Sequence, residues 1–299
     1  LTLSIFELAA LSAALCWAIT GIITAGPAQH LGALAFTRIR MTMVLVMLAA
    51  WVAFTGSWRT IGQDALLPLV ASGIIGIFIG DSMLFATMNR MGPRRTSILF
   101  SLNAPLAVIL GWLVLGERLD VLELLGIALA FVGVTLAIVF GKRKSQLHQW
   151  EEIRGPLWMG VALGLGAALA QAGGSLIARP VMESGIDPAA SSALRVATSV
   201  VCFYLAMLLP GNHLRAKAAM TPGIFAVTAF SGFLAMAVGM TLVLFALSGG
   251  QVGIVSTLSA TTPALILPLL WLKTGEAPAP AAWAGAALVI AGSALIFAG

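Results

Sequence analysis

Charge is what this sequence has least of. Of 299 residues, 9% are Asp, Glu, Lys or Arg and 60% are apolar, whereas soluble domains carry about 25% charged residues. So few charges cannot clothe a water-exposed surface, which excludes a soluble enzyme and points to an integral membrane protein. Histidine occurs three times, at His30, His148 and His213, always in connecting segments. With none inside an apolar run, intramembrane metal or haem ligation and a histidine proton relay are not expected. Nor can a Ser-His-Asp or Cys-His arrangement be assembled. The two cysteines, Cys16 and Cys202, lie far apart within apolar runs, which argues for small packing residues and against a disulfide framework. There is no Gly-x-x-x-x-Gly-Lys-Ser/Thr loop, hence no sign of an ATP-driven pump. No cofactor and no metal is expected. The net charge of +5 would suggest nucleic acid in a soluble chain. Here the basic residues cluster between apolar runs, as membrane proteins keep them, so the expected partners are the lipid bilayer and a small-molecule substrate, with no nucleic acid. No cleavable-leader pattern marks the first apolar run, which reads as the first span.

A helix needs about 20 residues to cross about 30 Å of hydrocarbon, and charges punctuate the chain at close to that interval. Spans are expected at 3–24, 33–55, 65–88, 95–115 and 121–140, then at 156–178, 189–209, 222–247, 251–272 and 279–298. Lys142-Arg143-Lys144 opens the longest charged segment, which runs to Arg154. Ala218 to Leu272 is an uncharged run of 55 residues, too long for one span. Ser248-Gly249-Gly250-Gln251 is its natural break, since adjacent glycines weaken a helix. Ten helices place about 210 residues in the bilayer and leave no room for a soluble domain. The expected organisation is a first five-helix repeat at 1–141, a charged linker at 142–155 and a second repeat at 156–299.

The halves resemble each other. Ser101-Leu102-Asn103-Ala104-Pro105 matches Ser259-Ala260-Thr261-Thr262-Pro263 at an offset of 158. Past a one-residue slip, Gly116-Glu117 matches Gly275-Glu276, and Gly126 and Gly133 match Gly285 and Gly292; earlier in the chain, Gly73 and Gly80 match Gly232 and Gly239. Gly92 matches Gly250. An odd number of spans per repeat sends the second half into the membrane in the opposite sense, an inverted-topology plan recurrent among secondary transporters. The fold expected is therefore all-α and integral to the membrane, ten helices in two inverted five-helix repeats.

Asn103-Ala104-Pro105, Leu115-Gly116-Glu117-Arg118-Leu119, Gly126 and Gly133, with the second copy from Thr262-Pro263 to Gly275-Glu276, resemble the drug/metabolite transporter superfamily in its ten-helix EamA type. Arg38 and Arg195, early in the second span of each half, fit the same pattern. Lys273-Thr274 departs from it, standing where a leucine-rich helix end is usual. The resemblance covers the whole chain and implies a carrier that is not an enzyme, in the bacterial inner membrane; a monomer is the expected state. Within the family the chain looks most like the YddG-type exporters of aromatic and other neutral amino acids. Exporters of cationic drugs are the alternative, and a passive channel a more distant one, since no repeated filter motif of carbonyls or charges is present.

Among polar residues at membrane depth, Asp81 is the carboxylate well inside a span, where an ionised group costs several kcal/mol unless paired or wetted. It reads as a cavity group that binds a substrate ammonium or a coupling proton, or as a partner for Arg38 or Arg40. Arg38, Arg40 and Arg195 read as side chains snorkelling to the interface. Pro105 and Pro263 break helices at matching positions beside Ser101, Asn103, Ser259, Thr261 and Thr262, and such paired breaks point to a transporter site. A packing kink is the other reading. Trp17 lies mid-span in the first helix and Gln171 at the corresponding point of the sixth, away from the interfaces where aromatic belts belong. Phe78, Met240 and Thr241 complete the candidate cavity. The glycine pairs 126/133 and 285/292 read as helix-packing seams. Orientation is open. Counted by loop, Lys and Arg place both termini outside, while the resemblance implies both in the cytoplasm.

Overall fold

The computed structural model describes residues 4–140, 155–208, 215–275 and 277–296. The charged segment at 142–154, with His148, and likewise His213 and Glu276, lies outside them. All regular elements among the described residues are helical. The first half holds α1 (Ile5–Ile23), a short α2 (Ala25–Leu31), α3 (Ala33–Thr55), α4 (Gln63–Ser72), α5 (Gly80–Ser101), α6 (Asn103–Leu110) and α7 (Val121–Phe140). The second holds α8 (Leu157–Glu183), α9 (Pro188–Ala206), α10 (Pro222–Gly232), α11 (Thr241–Leu247), α12 (Val252–Ser259), α13 (Thr262–Thr274) and α14 (Pro280–Ile296). Nine stretches among the described residues are long and apolar enough to cross a membrane. The apolar α14, at 17 residues, fills the place of the tenth expected span.

Local chemistry sets the ends. Ser4 and Glu7 form a reciprocal cap on α1: the Ser4 hydroxyl accepts from the Phe6 N–H, and the Ser4 N–H donates to the Glu7 carboxylate at 3.1 Å, satisfying amides the helix leaves open. Asp187 caps α9 by accepting from the Ala190 N–H at 2.8 Å, with Pro188 in the first turn, where its missing N–H is harmless. The third and eighth spans each carry a π-helical stretch at the same point, Gly73–Ile79 and Phe233–Met240. Gly111–Leu115, at the end of the fourth span, is π-helical too.

The halves interleave. α1 packs against α11, α12, α13 and the second-half π stretch, whereas α8 packs against α4, α5, α6 and the first-half π stretch. The first helix of each repeat thus sits within the other repeat. α1 achieves this with a buried alanine face, Ala9, Ala10, Ala13, Ala14 and Ala18. Helices in lipid gain little from hydrophobic burial and adhere through close backbone approach, which that face permits. α7 and α14 join antiparallel through their glycines. A Cβ on Gly126 would lie 2.6 Å from the Gly292 carbonyl oxygen, and one on Gly133 2.6 Å from that of Gly285. The outward surface is apolar, with Trp51, Phe54, Leu67, Trp112, Leu208, Leu272 and Ile290 exposed, as lipid contact requires.

Candidate functional site

Both fourth and ninth spans break, at Leu102 between α5 and α6 and at Ala260-Thr261 between α12 and α13. Pro105 and Pro263 fall in the first turn of the helix that resumes, where a missing N–H is tolerated. The carbonyls left without helical partners are met by side chains in the same pattern twice. The Asn103 amide donates to the Phe100 carbonyl at 2.7 Å, and the Thr261 hydroxyl to the Leu258 carbonyl at 2.7 Å. The Ser101 hydroxyl donates to Ile98 and the Ser259 hydroxyl to Ser256. Thr262 donates to the Ser259 carbonyl and to that of Ala14 on α1. With their hydrogens so used, the hydroxyls keep free lone pairs.

These breaks flank a cavity of about 320 Å³ between the halves. Trp17, Asp81, Ser101, Asn103, Gln171, Met240, Ser259, Thr262 and Pro263, all expected from the sequence, line it. The Trp17 indole N–H donates to the Ala235 carbonyl in the π stretch at 2.8 Å, which fixes the ring at the wall. Trp17 and Gln171 are equivalent by packing: a Cβ on Gly239 would meet the Trp17 ring, and one on Gly80 would meet Ala170 and the Gln171 backbone.

Four expected residues are not in the lining. Phe78 turns into the core and packs edge-on against Phe203, with ring centroids 5.1 Å apart. Thr241 follows Met240 by one residue, a step of about 100° around a helix, and its hydroxyl is buried without a hydrogen-bond partner. Thr261 is buried, its hydroxyl taken by Leu258. Pro105 lies about 200° around α6 from Asn103 and is outside the lining. Sequence reasoning missed Thr20, Thr24, Ser97, Phe100 and Met236, which do line the cavity. Thr20, Gly21 and Thr24 follow Trp17 at helical spacing on α1, so a search for one polar stripe through Trp17 would have found them.

Arg40 and Arg195 depart from the snorkelling expectation. Arg38 lies over the Tyr204 ring at 5.2 Å. Arg40 lines the cavity, lies 5.2 Å over the Phe36 ring, and has a buried Nε without a hydrogen-bond partner. Arg195 is only 2% exposed. By packing, Arg195 is equivalent to Arg40, not Arg38. A Cβ on Gly73 would lie 2.7 Å from the Arg195 carbonyl oxygen, and one on Gly232 would lie 3.2 Å from Arg40 Cγ. Asp81 and Arg40 share the cavity wall but form no direct ion pair among the described residues.

At the far end of the fourth span, Gly116 adopts a left-handed conformation, φ 68°, as does its counterpart Gly275, φ 71°. Only glycine takes that conformation without strain. The turn aims Glu117 at the start of α12, where its two oxygens accept from the Val252 N–H at 2.9 and 3.0 Å. Arg179 of α8 lies 3.7 Å from Glu117 and 2.6 Å from Glu183. Burial pushes the Glu117 carboxyl above its ordinary value, opposed by the Val252 N–H and by Arg179. Between this contact and the cavity, α6 packs on α12, with Gly253 against Val108.

Among the described residues, an all-helical, interleaved bundle of membrane-crossing helices around a cavity between two repeats defines a membrane transporter. The EamA-like transporter family matches twice, over residues 4–139 and 158–298, and the chain belongs to that family, whose members are transporters and not enzymes. A relative from Sinorhizobium sp., described as an uncharacterized transporter in the cobO 3' region, is 31% identical over 106 residues, covering 35% of this chain and 75% of its own. A protein of known crystal structure shares the fold, with a TM-score of 0.79 at 17% identity over 97% of this chain and 95% of that one.

Proposed function

We propose that this transporter is a secondary carrier that exports amino acids, aromatic and other neutral ones, across the bacterial inner membrane by alternating access around the central cavity. Its two five-helix repeats, 1–141 and 156–299, are the moving parts, joined by the linker at 142–155. The observation that carries the reading is the lining itself. Asp81 offers a carboxylate and the Ser101, Ser259 and Thr262 hydroxyls offer lone pairs, all suited to an ammonium group; Arg40 suits a carboxylate; the Trp17 ring suits an apolar side chain. The packed α6–α12 contact beneath the Glu117 cap supports closure on that side.

A second reading, export of cationic drugs, is favoured by one observation, that no described side chain forms an ion pair with Asp81. Counterflow of labelled phenylalanine, alanine and other amino acids in proteoliposomes tests the first reading. Saturable exchange of at least one of them is expected. Exchange of quaternary amines with none of any amino acid overturns it in favour of the second.

A further inference from the structure

The two repeats treat their equivalent arginines differently. In the first, Arg40 shares the cavity with Asp81, the charge acting on that carboxylate. In the second, the position equivalent to Asp81 is Met240, and it is the Met240 sulfur that Arg195 Nη1 meets, at 3.5 Å. No described carboxylate pairs with Arg195, and its Nε is buried without a hydrogen-bond partner. A guanidinium stays charged at any relevant pH, and a buried, unpaired charge is costly enough that folded proteins pair it with an anion. Here the pairing is missing, although the backbone at Arg195 is anchored. The Ser199 hydroxyl bridges the backbone carbonyls of Gly73 and Arg195 at 3.0 and 2.9 Å. Gly73 admits the Arg195 backbone and Gly76 its guanidinium.

The guanidinium also lies against the cavity wall. Met240 and Gly76 both line the cavity. Arg195 Nη2 is 3.2 Å from where a Gly76 Cβ would stand, so Gly76 contributes no side chain to cover it. Arg195 thus stands behind the wall, 2% exposed, while Arg40 and Asp81 line the cavity itself, and the three together leave an excess of one positive charge at membrane depth.

We propose that Arg195 makes the cavity select substrates bearing a carboxylate, and that the uncharged Met240 is what leaves it free to do so. The inference rests on the carrier reading of the cavity and deepens it. A carboxylate on the solute, held at the surface by Arg40, offsets the charge that Met240 leaves uncompensated on Arg195 behind the wall, while Asp81 takes the substrate ammonium. Solutes that are cations only meet an uncompensated like charge and are excluded, so the cavity is not one for cationic drugs.

The test is equilibrium binding to the purified full chain of three compounds that share one ring: phenylalanine, phenylacetate and phenethylamine. Wild type is expected to bind the two carboxylates at least about tenfold more tightly than the amine, since burying a charge opposite a fixed partner is worth that much or more. Met240→Glu supplies Arg195 with an internal carboxylate and is expected to reduce the preference by about tenfold. Met240→Gln, similar in size but uncharged, is expected to keep it. Should Met240→Glu fail to give monodisperse protein, Arg195→Gln decides instead: loss of the carboxylate preference upholds the selection by Arg195, and an unchanged preference overturns it. Binding of phenylacetate without phenylalanine upholds the carboxylate selection and sinks the amino-acid reading. Equal binding of phenylalanine and phenethylamine upholds amino acids and overturns the selection by Arg195. Preference for the amine, or no binding of any of the three, overturns both.

Discussion

The Glu117 carboxylate accepts the Val252 N–H through both oxygens, at 2.9 and 3.0 Å, across 135 residues of chain. This one contact ties the end of the fourth span to the start of the ninth, on the side of the packed α6–α12 pair remote from the cavity. In an alternating-access cycle it must part when that side opens. Its pH dependence has a definite sign. Burial raises the Glu117 carboxyl above the ordinary 4.5, so the closed contact binds a proton more readily than a Glu117 released into water. The stabilisation that protonation lends the closed state is fully present below 4.5 and is lost as pH rises through the raised value. Acidification therefore favours closure. A single cysteine at position 256, on α12 between Glu117 and the cavity, should be labelled from the Glu117 side more slowly as pH falls toward 4.5. The rate is taken relative to the same cysteine in Glu117→Gln, which cancels the titration of the thiol. Faster relative labelling at low pH would refute the sign. Glu117→Ala, which removes the cap, should cost about 1 kcal/mol of stability.

The α7–α14 seam gives a stability prediction. A methyl on Gly126 or Gly133 meets a backbone carbonyl at 2.6 Å, and backbone cannot turn aside as a flexible side chain can. Gly126→Ala with Gly133→Ala should destabilise by about 1–3 kcal/mol per site, visible as a lower melting temperature and a broadened size-exclusion peak. Gly223→Ala, where nothing lies within 4 Å, is the control and should be neutral. Unchanged melting in the double variant would show that α7 and α14 do not approach as described.

Asp81 is a direct probe of the cavity. Asp81→Asn keeps the shape and removes the charge, so the protein should fold while transport falls, with KM for an amino acid rising about tenfold if the carboxylate holds the ammonium. A fall in the maximal rate at constant KM would point instead to proton coupling. Unaltered kinetics would remove Asp81 from the transport cycle altogether.

How much of this could be read from the sequence differs by kind of residue. The spans, the break at Ser248-Gly249-Gly250 and the repeat were legible because hydropathy and glycine spacing are local, one-dimensional signals. So was the α7–α14 seam, since a seven-residue glycine spacing marks one helix face. What was not legible was rotation. Thr241 and Thr261 stand one residue from lining positions, Met240 and Thr262, and the π stretches shift the helical phase in a way no periodicity in the sequence announces. Arg195 was misread for a related reason. Snorkelling is the cheapest fate for an arginine near a span end, and only the notch formed by Gly73 and Gly76, on a different helix, makes burial possible. The interleaving of α1 and α8 is a long-range arrangement with no local sequence mark.

The broken helices give the sharpest map of the site. Ser101 and Asn103 line the cavity, and so do Ser259, Ala260, Thr262 and Pro263, while Pro105 and Thr261 do not. Lining and packing positions lie within one or two residues of each other along the chain, so a scan at single-residue steps separates them. The background is the chain with Cys16 and Cys202 replaced by Ala. Neither forms a disulfide among the described residues, so that protein should remain monodisperse and active. Single cysteines at 101–105 and 259–263 are then treated with a small hydrophilic thiol reagent, with and without substrate. Labelling is expected at 101, 103, 259, 260, 262 and 263, slowed by substrate, and not at 105 or 261. The pattern follows from direction: the Thr261 hydroxyl points back to Leu258 at 2.7 Å, and Pro105 stands about 200° around the helix from Asn103. Labelling at 105 and 261 with protection of 101 and 262 would mean the helices are rotated from the arrangement described. Inertness at every position would move the transport pathway away from both breaks.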